Sequence, residues 1–162
     1  MRNIVLIGMP GSGKTTIGKL LAKELDMSFI DMDDHIQKTE QKSIKELFAQ
    51  GESFFRDAET RCAEKLSKLN SYVIAAGGGI VVRKENLDYL KKSSIIVFIN
   101  RKVEAIISDI DCETRPLLEE GAERLYKLYN DRIELYKSYC HIEIPNNESA
   151  SAAVLEIIKK IH

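Results

Sequence analysis

The stretch Gly8-Met9-Pro10-Gly11-Ser12-Gly13-Lys14-Thr15 fits the pattern G-x-x-x-x-G-K-[ST] of a phosphate-binding loop. It follows the apolar run Ile4-Val5-Leu6-Ile7, which is typical of a buried strand, and it precedes a segment with apolar residues at helical spacing. In that setting the glycines let successive N–H groups face one concavity, to which the helix N-terminus adds the positive end of its dipole. The pattern predicts a nucleoside-triphosphate site rather than a glycine-rich turn with a chance lysine. Lys14 is expected on the β- and γ-phosphates and the Thr15 hydroxyl on Mg²⁺.

Length and composition narrow the class of protein. The 162 residues predict one domain, residues 1–162, with a substantial core, and the net charge of −1 disfavours a nucleic-acid partner. No apolar segment approaches the length of a membrane span, and residues 1–7 run directly into the first strand, so we expect neither a membrane partner nor a signal peptide, and a cytoplasmic location. Cys62, Cys112 and Cys140 are odd in number and widely spaced, which favours free thiols. The lack of a strongly apolar surface stripe favours a monomer.

Apolar runs alternate with helical patterns along the chain. Strands are predicted at residues 4–7, 28–31, 72–76, 94–99 and 141–144. Helices are predicted at residues 16–25, 36–48 (with a broken pattern and Ser43 as N-cap), 52–69, 85–90, 103–107, 119–139 and 150–161. Several strands are apolar throughout, which predicts an α/β fold with a parallel sheet covered by helices on both faces. The segment from Ser108 to Leu118 has no useful periodicity and includes Arg115-Pro116, a helix stop signal.

Chemically active residues follow three of the predicted strands. The phosphate-binding loop follows the first, Asp31 and Asp33 follow the second, and Gly77-Gly78-Gly79 follows the third. Ligands of parallel sheets bind beyond the carboxyl ends of the strands. The sequence therefore predicts a site for two substrates at this edge.

The two acids suit phosphoryl transfer. One carboxylate near Mg²⁺ and a second that orients or deprotonates the attacking hydroxyl would divide the tasks between Asp31 and Asp33, which point the same way if the strand continues. The alternative is that Asp33 or Asp34 only caps the next helix. We favour the cap for Asp34 and function for the other two.

The arginines and the glycine triplet are ambiguous by themselves. Arg56, beside aromatic residues on a helix, either grips an anionic substrate with Glu59 holding it in place, or is an exposed arginine paired with an acid. The three glycines either serve a tight turn or let a ligand approach the backbone. Single arginines such as Arg115 and Arg132 are usually solvated, although Arg115 could belong to a lid over phosphate.

Taken together, these segments resemble the shikimate kinase family of P-loop kinases. The matching features are residues 8–16, Phe29-Ile30-Asp31-Met32-Asp33, Ser43-Ile44-Lys45-Glu46-Leu47-Phe48, Gly51-Glu52 with Phe55-Arg56 and Glu59, Gly77-Gly78-Gly79 with Asn86 and Leu90, Arg115-Pro116-Leu117-Leu118, and Arg132 with Tyr136. Each feature is weak alone. Their order along residues 3–140 makes the resemblance specific.

The resemblance implies ATP-dependent phosphorylation of the 3-hydroxyl of shikimate, with Mg²⁺, on a three-layer fold of the nucleoside-monophosphate-kinase type and strand order 2-3-1-4-5. A substrate-binding segment at about 32–60 and a lid at about 108–120 are implied. The implied catalytic residues are Lys14, Asp33 and Arg115. ATP contacts are implied for Gly11, Ser12, Gly13, Lys14, Thr15, Thr16 and Arg115; shikimate contacts for Asp33, Arg56, Gly77, Gly78, Gly79 and Arg132; and Mg²⁺ contacts for Thr15 and Asp31. Asp33 resembles the residue that holds the substrate hydroxyl, either as a base or only to orient it.

The chain departs from the family pattern on the nucleotide side. Many members carry an adenine-stacking arginine where this chain has Ser108, and Pro145-Asn146-Asn147 does not match the family's adenine loop. Gln37 and Gln41 replace a usual glutamate and a frequent glycine. We therefore predict weaker ATP binding than is typical.

Other functions remain open at this point. A gluconate-kinase-like enzyme of the same group is the nearest rival, and a catalytically impaired nucleotide-binding relative is another. A regulatory GTPase is disfavoured because no Asn-Lys-x-Asp motif is present.

Overall fold

The computed structural model describes residues 1–109 and 115–162, with side chains described through residue 109 and again from residue 121. The strands are β1 (Asn3–Ile7), β2 (Ser28–Asp31), β3 (Tyr72–Ala75), β4 (Ser94–Asn100) and β5 (Ile142–Pro145). The α-helices are α1 (Lys14–Glu24), α2 (Met32–Glu40), α3 (Ile44–Ala49), α4 (Glu52–Leu66), α5 (Lys84–Lys91), α6 (Val103–Ser108), α7 (Arg115–Tyr139) and α8 (Ala150–Ile161), and a 3₁₀ turn covers Ile80–Val82.

The five strands form one parallel sheet in the order β2-β3-β1-β4-β5. This confirms the order that the family resemblance implies. Strand β1 lies at the centre, where Val5 is in register with Ile74 of β3 and Ile96 of β4. Because all strands run the same way, their carboxyl ends meet at one edge, and β1, β2 and β3 lead there into the phosphate-binding loop, the aspartates and the glycine triplet.

Side chains alternate across the sheet and build a core on each face. Val5 and Ile7 pack with residues of α4, α5 and α7, whereas Ile4 and Leu6 pack with residues of α1 and α8. All five residues of β1 are buried, as expected for a central strand covered by helices on both sides. The predicted three-layer architecture is confirmed. No described helix has both the length and the apolar character needed to cross a bilayer.

The structure confirms the second strand and corrects the segment that follows it. Strand β2 ends at Asp31 and helix α2 begins at Met32, so Asp33 lies in the first helical turn and not in an extended segment. The cap is Asp31, whose Oδ1 accepts a hydrogen bond from the Asp34 backbone N at 3.1 Å. The prediction that Asp34 caps this helix is wrong, because the chain turns helical three residues earlier.

Two other helix boundaries are informative. The broken pattern from residue 36 to 48 is two helices, and Ser43 caps the second through the Glu46 backbone N, as predicted. Helix α7 begins at Arg115, four residues before the predicted start. Proline is tolerated in the first turn of a helix, where its missing N–H has no intrahelical acceptor, so Pro116 does not stop it. Residues 110–114 of the expected lid, which include Cys112, lie outside the described residues.

Candidate functional site

The phosphate-binding loop joins β1 to α1 and is shaped by its glycines. Gly11 and Gly13 have φ of 77° and 96°, a region that residues with a Cβ rarely adopt. The Lys14 ammonium folds back over the loop and donates hydrogen bonds to the carbonyl oxygens of Gly8 at 2.8 Å and Met9 at 2.7 Å. Burial lowers the pKa of Lys14 to about 8, although the nearby Asp33 and Asp31 charges act in the opposite direction.

Thr15 and Asp31 lie together beside this loop. The Thr15 hydroxyl donates to Asp31 Oδ2 at 2.9 Å. A hydroxyl and a carboxylate are oxygen ligands of the kind that Mg²⁺ takes when it keeps several waters and binds substrate phosphates as well. These two residues fit the ion, and no group of three or more metal-binding side chains occurs among the described residues.

Asp33 is the more enclosed of the two candidate acids. A Cβ added to Gly77 would lie 2.9 Å from Asp33 Oδ1, so the carboxylate packs directly against the glycine triplet. Burial raises the pKa of Asp33, and the neighbouring Asp31 charge adds to the rise, whereas Lys14 opposes it. The first turn of α2 thus places a desolvated acid between the phosphate-binding loop and the triplet.

Arg56 is a buried arginine and not an exposed one. Only 7% of its surface is accessible, and its Nη1 donates to Glu59 Oε1 at 2.9 Å and to the Gly79 carbonyl at 3.3 Å. Glu59 is 1% exposed. Burial raises the pKa of Glu59, and the Arg56 charge opposes that rise. The prediction that Glu59 holds Arg56 is confirmed by this geometry.

One nitrogen atom of the Arg56 guanidinium lacks a hydrogen-bond partner among the described residues. Its Nε is buried and makes no hydrogen bond with the residues described, although it lies 3.5 Å from Glu52 Oε1. A buried donor without a partner is costly unless a ligand or water completes it. The guanidinium also lies 5.2 Å from the centre of the Phe55 ring and 5.7 Å from that of Phe48. This arrangement suits a planar anion such as a carboxylate.

Arg132 approaches the same place from helix α7. Its charge affects the pKa values of Lys14, of Glu59 and of Tyr136, which lies one helical turn later, so the guanidinium lies near both the loop and the Arg56–Glu59 pair. Its side chain is half-buried. Arg132, Arg56, Asp33 and Lys14 are therefore neighbours at the carboxyl edge of the sheet.

The shikimate kinase family model matches residues 10–162. The chain belongs to the shikimate kinase family. A shikimate kinase of Clostridium botulinum (strain Alaska E43, type E3) is 48% identical over 162 residues, covering 99% of this chain and 98% of that protein.

Solved structures agree with this assignment. A shikimate kinase from Acinetobacter baumannii in complex with shikimate has a TM-score of 0.91 and 32% identity, covering 99% of this chain and 93% of that one. A shikimate kinase from Aquifex aeolicus has a TM-score of 0.86 and 33% identity, covering 98% and 95%. The fold of the described residues is therefore that of the shikimate kinases.

The structure brings most residues predicted for this shikimate kinase family site to one edge. Those that meet there are Gly11, Ser12, Gly13, Lys14, Thr15, Thr16, Asp31, Asp33, Arg56, Gly77, Gly78, Gly79 and Arg132. The backbone of Arg115 begins helix α7, but its side chain lies outside the described residues.

Sequence reasoning missed a set of contacts on the outer side of the phosphate-binding loop. Arg101 donates to the Gly11 carbonyl at 3.0 Å and pairs with Asp109 at 2.6 Å, and Asn146 Nδ2 donates to the Ser12 carbonyl at 2.8 Å. Together with Asn147 these residues line a cleft of about 250 Å³ beside Thr16. No motif signals them, because they follow β4, α6 and β5 and meet only in the fold.

The hydroxyl of Tyr136 was also missed. The helical pattern marks Tyr136 as part of an apolar stripe, and the residue is indeed fully buried. Its hydroxyl, however, donates to the Gly78 carbonyl at 2.6 Å, a contact between residues 58 positions apart. Periodicity can predict the buried ring but not the acceptor of its hydroxyl.

Proposed function

We propose that this chain transfers the γ-phosphoryl group of ATP to the 3-hydroxyl of shikimate, giving shikimate 3-phosphate and ADP. Membership of the shikimate kinase family supports this reaction. The observation that carries the acceptor assignment is the buried Arg56, which Glu59 fixes and whose Nε has no hydrogen-bond partner among the described residues. The planar carboxylate of shikimate matches the charge and the two-pronged geometry of this guanidinium.

On the donor side, Lys14 and the loop N–H groups bind the phosphates of ATP. Gly11, Ser12, Gly13, Thr15 and Thr16 line this part of the cleft with Lys14. Thr15 and Asp31 would hold Mg²⁺, which would supply positive charge against the phosphates of ATP. We place Arg115 among the phosphate-binding residues on the family resemblance.

On the acceptor side, Arg56 and Arg132 bind the carboxylate, and the Gly77-Gly78-Gly79 backbone lies against the ring. Glycine allows this approach because the triplet already touches Asp33 and Arg56, and any side chain there would displace them. Asp33 then lies between the acceptor hydroxyl and Lys14. Its enclosed position suits a carboxylate that holds the hydroxyl, whether or not it takes the proton.

In the reaction the 3-oxygen of shikimate forms a bond to the γ-phosphorus, and the bond to the β–γ bridging oxygen breaks. The hydroxyl proton leaves to Asp33 or to solvent, and ADP carries away the electron pair of the broken bond. Phosphoryl transfer passes through a loose, in-line transition state, so catalysis is largely positioning and charge stabilisation. Among the described residues, Lys14 supplies charge stabilisation, and Asp33, Arg56 and Arg132 position the acceptor.

The test is a coupled assay of ADP release with Mg²⁺, ATP and shikimate, with the product identified by ³¹P NMR. We expect ADP release that depends on shikimate, and an Asp33→Asn variant that binds ATP but turns over far more slowly. Gluconate and quinate serve as alternative acceptors. Turnover with gluconate alone would assign the chain to a different acceptor, and ATP binding without turnover on any acceptor would indicate an impaired relative.

We further propose that the enzyme acts as a cytoplasmic monomer without a nucleic-acid or membrane partner. The net charge of −1 supports the lack of a nucleic-acid partner, and Cys62 and Cys140 are free thiols, as a reducing compartment would keep them. Light scattering coupled to size exclusion measures the mass against the 18.4 kDa of one chain.

A further inference from the structure

Tyr136 ties helix α7 to the glycine triplet. Its hydroxyl donates to the Gly78 carbonyl at 2.6 Å, and its ring stacks on Phe98 of β4 with the ring centres 5.1 Å apart. The ring alone satisfies the apolar packing, and a buried hydroxyl costs free energy unless it is hydrogen-bonded. The hydroxyl therefore has a role beyond filling the core, and the Gly78 contact identifies it.

Gly78 is held between two parts of the site. On one side a Cβ at this position would meet Pro10 of the phosphate-binding loop at 2.8 Å, and on the other side Tyr136 binds its carbonyl. The flanking glycines are equally confined, since Gly77 packs against Asp33 and the Gly79 carbonyl accepts from Arg56. The orientation of the Gly78 peptide thus sets the positions at which Gly77 contacts Asp33 and Gly79 contacts Arg56.

The same phenol faces Arg132, one helical turn earlier on α7. Residues four apart on a helix are neighbours, so the Arg132 and Tyr136 side chains lie on the same face of α7. Burial raises the pKa of Tyr136, and the nearby Arg132 charge opposes that rise. A phenol donates one hydrogen bond and can accept others. Tyr136 can therefore hold the Gly78 peptide and Arg132 in one fixed arrangement.

We propose that Tyr136 is a positioning residue for the acceptor substrate. Its hydroxyl fixes the Gly78 peptide and Arg132 relative to each other, so that the triplet and both arginines are in place before the acceptor binds. The inference deepens the proposed function and rests on it, because it assigns the acceptor to this side of the cleft. Tyr136 itself need not contact the substrate.

The experiment compares two substitutions that each remove one hydroxyl from α7. Tyr136→Phe deletes the bond to Gly78, and Tyr129→Phe deletes a bond from the same helix to Asn100 Oδ1 at 3.2 Å. Both keep the aromatic ring. Calorimetric titration with shikimate and with ADP, steady-state kinetics in both substrates, and thermal melting are measured for the wild type and both variants.

We expect Tyr136→Phe to raise the Kd and KM for shikimate about tenfold, the size of one lost hydrogen bond and the loosened partners it leaves. The Kd for ADP and the KM for ATP should stay within about twofold. Tyr129→Phe should leave all four constants within the same limit. Hydrogen exchange of residues 77–82 should be faster in Tyr136→Phe than in Tyr129→Phe.

Two results would overturn the inference. An unchanged shikimate constant in Tyr136→Phe shows that the hydroxyl does not position the acceptor site. Equal losses of shikimate and ADP affinity, or the same loss in both variants, show a general loosening of helix α7 instead. A wild-type enzyme that does not phosphorylate shikimate overturns the proposed function first and this inference with it, and the wild-type assay alone reveals that case.

Discussion

We call the side of the cleft with Arg56, Glu59 and Tyr136 the acceptor half, and the side with the phosphate-binding loop and Arg101 the nucleotide half, after the ligands we propose for them. The two halves are built differently. In the acceptor half, Arg56 and Glu59 form a buried ion pair, and Arg56 also donates to the Gly79 carbonyl. The Tyr136 hydroxyl donates to the neighbouring Gly78 carbonyl. In the nucleotide half, Arg101 pairs with Asp109, with 20% of the arginine side chain and 63% of the aspartate side chain exposed. One half is enclosed and the other is open to solvent.

The two halves therefore differ in how firmly their side chains are held in place. Buried charges interact strongly, and removing one partner leaves the other uncompensated, so the acceptor half cannot change one residue without disturbing several. Exposed ion pairs contribute little, and the nucleotide half can therefore vary its contacts at small cost. Two of the departures from the family pattern, Ser108 and Asn146, fall in this more open half.

The largest expected effect is that of Arg56→Ala. We expect the KM for shikimate to rise about 100-fold, because the substitution removes a charge-assisted, two-pronged contact, with the KM for ATP nearly unchanged. The melting temperature should also fall, since Glu59 is left buried without its cation. Steady-state kinetics in each substrate measure the separation of the two halves.

The control for Arg56 is Arg61→Ala, five residues later on the same helix. Arg61 pairs with Glu40, and its side chain is 55% exposed. This substitution should leave both Michaelis constants within about twofold, as expected for a surface pair. Equal effects of the two substitutions, or an unchanged shikimate KM in Arg56→Ala, would remove Arg56 from the acceptor site.

A second test adds one methyl group to each of two glycines. In Gly79→Ala the new Cβ would collide with the Arg56 guanidinium, so we expect shikimate affinity to fall at least about tenfold. In Gly121→Ala, within helix α7, the Cβ meets no described atom within 4 Å, and the protein should gain about 0.5–1 kcal/mol. Calorimetry and thermal unfolding measure the two outcomes, and normal shikimate binding by Gly79→Ala would contradict the close packing of the acceptor half.

A smaller effect is expected for Ser108→Arg on the open side. An arginine stacking on adenine at an exposed position contributes about 0.5–1 kcal/mol, so the KM for ATP should fall about twofold to fivefold. Ser138→Arg is the matched control, because both serine hydroxyls only donate to a carbonyl three residues earlier, at 2.8 Å. No gain in Ser108→Arg over Ser138→Arg would count against the predicted weakness of ATP binding.

The smallest expected effect concerns the Cys62 thiol, which alkylating reagents should leave unmodified in the folded protein. Burial raises the pKa of this thiol to about 12, and the nearby Glu59 charge adds to the rise. At pH 8 only about one molecule in 10,000 carries the reactive thiolate. Iodoacetamide should therefore label the half-buried Cys140 and spare Cys62 until the protein unfolds, as read by peptide mass mapping. Labelling of Cys62 in the native protein as fast as Cys140 would show that the acceptor half opens.

The sequence by itself determined the fold class and the donor site. A strand, a glycine loop and a helix start are contiguous in the chain, so the phosphate-binding loop follows from local geometry alone. Likewise the apolar strands between helical patterns predicted a parallel sheet, and Ser43 was identified as a cap because capping acts over three residues. Each of these features depends on neighbours in sequence.

Only the tertiary structure decided which polar groups meet across the sheet. Spacing alone favoured an exposed arginine at position 56, whereas in the fold Arg56 is buried and contacts the triplet at the end of β3, 23 residues away. The bond from Tyr136 to Gly78 and the contacts of Arg101 and Asn146 with the phosphate-binding loop join still more distant segments. Periodicity records which face of an element is apolar, but the partner of a buried polar group is fixed only when separate elements pack together.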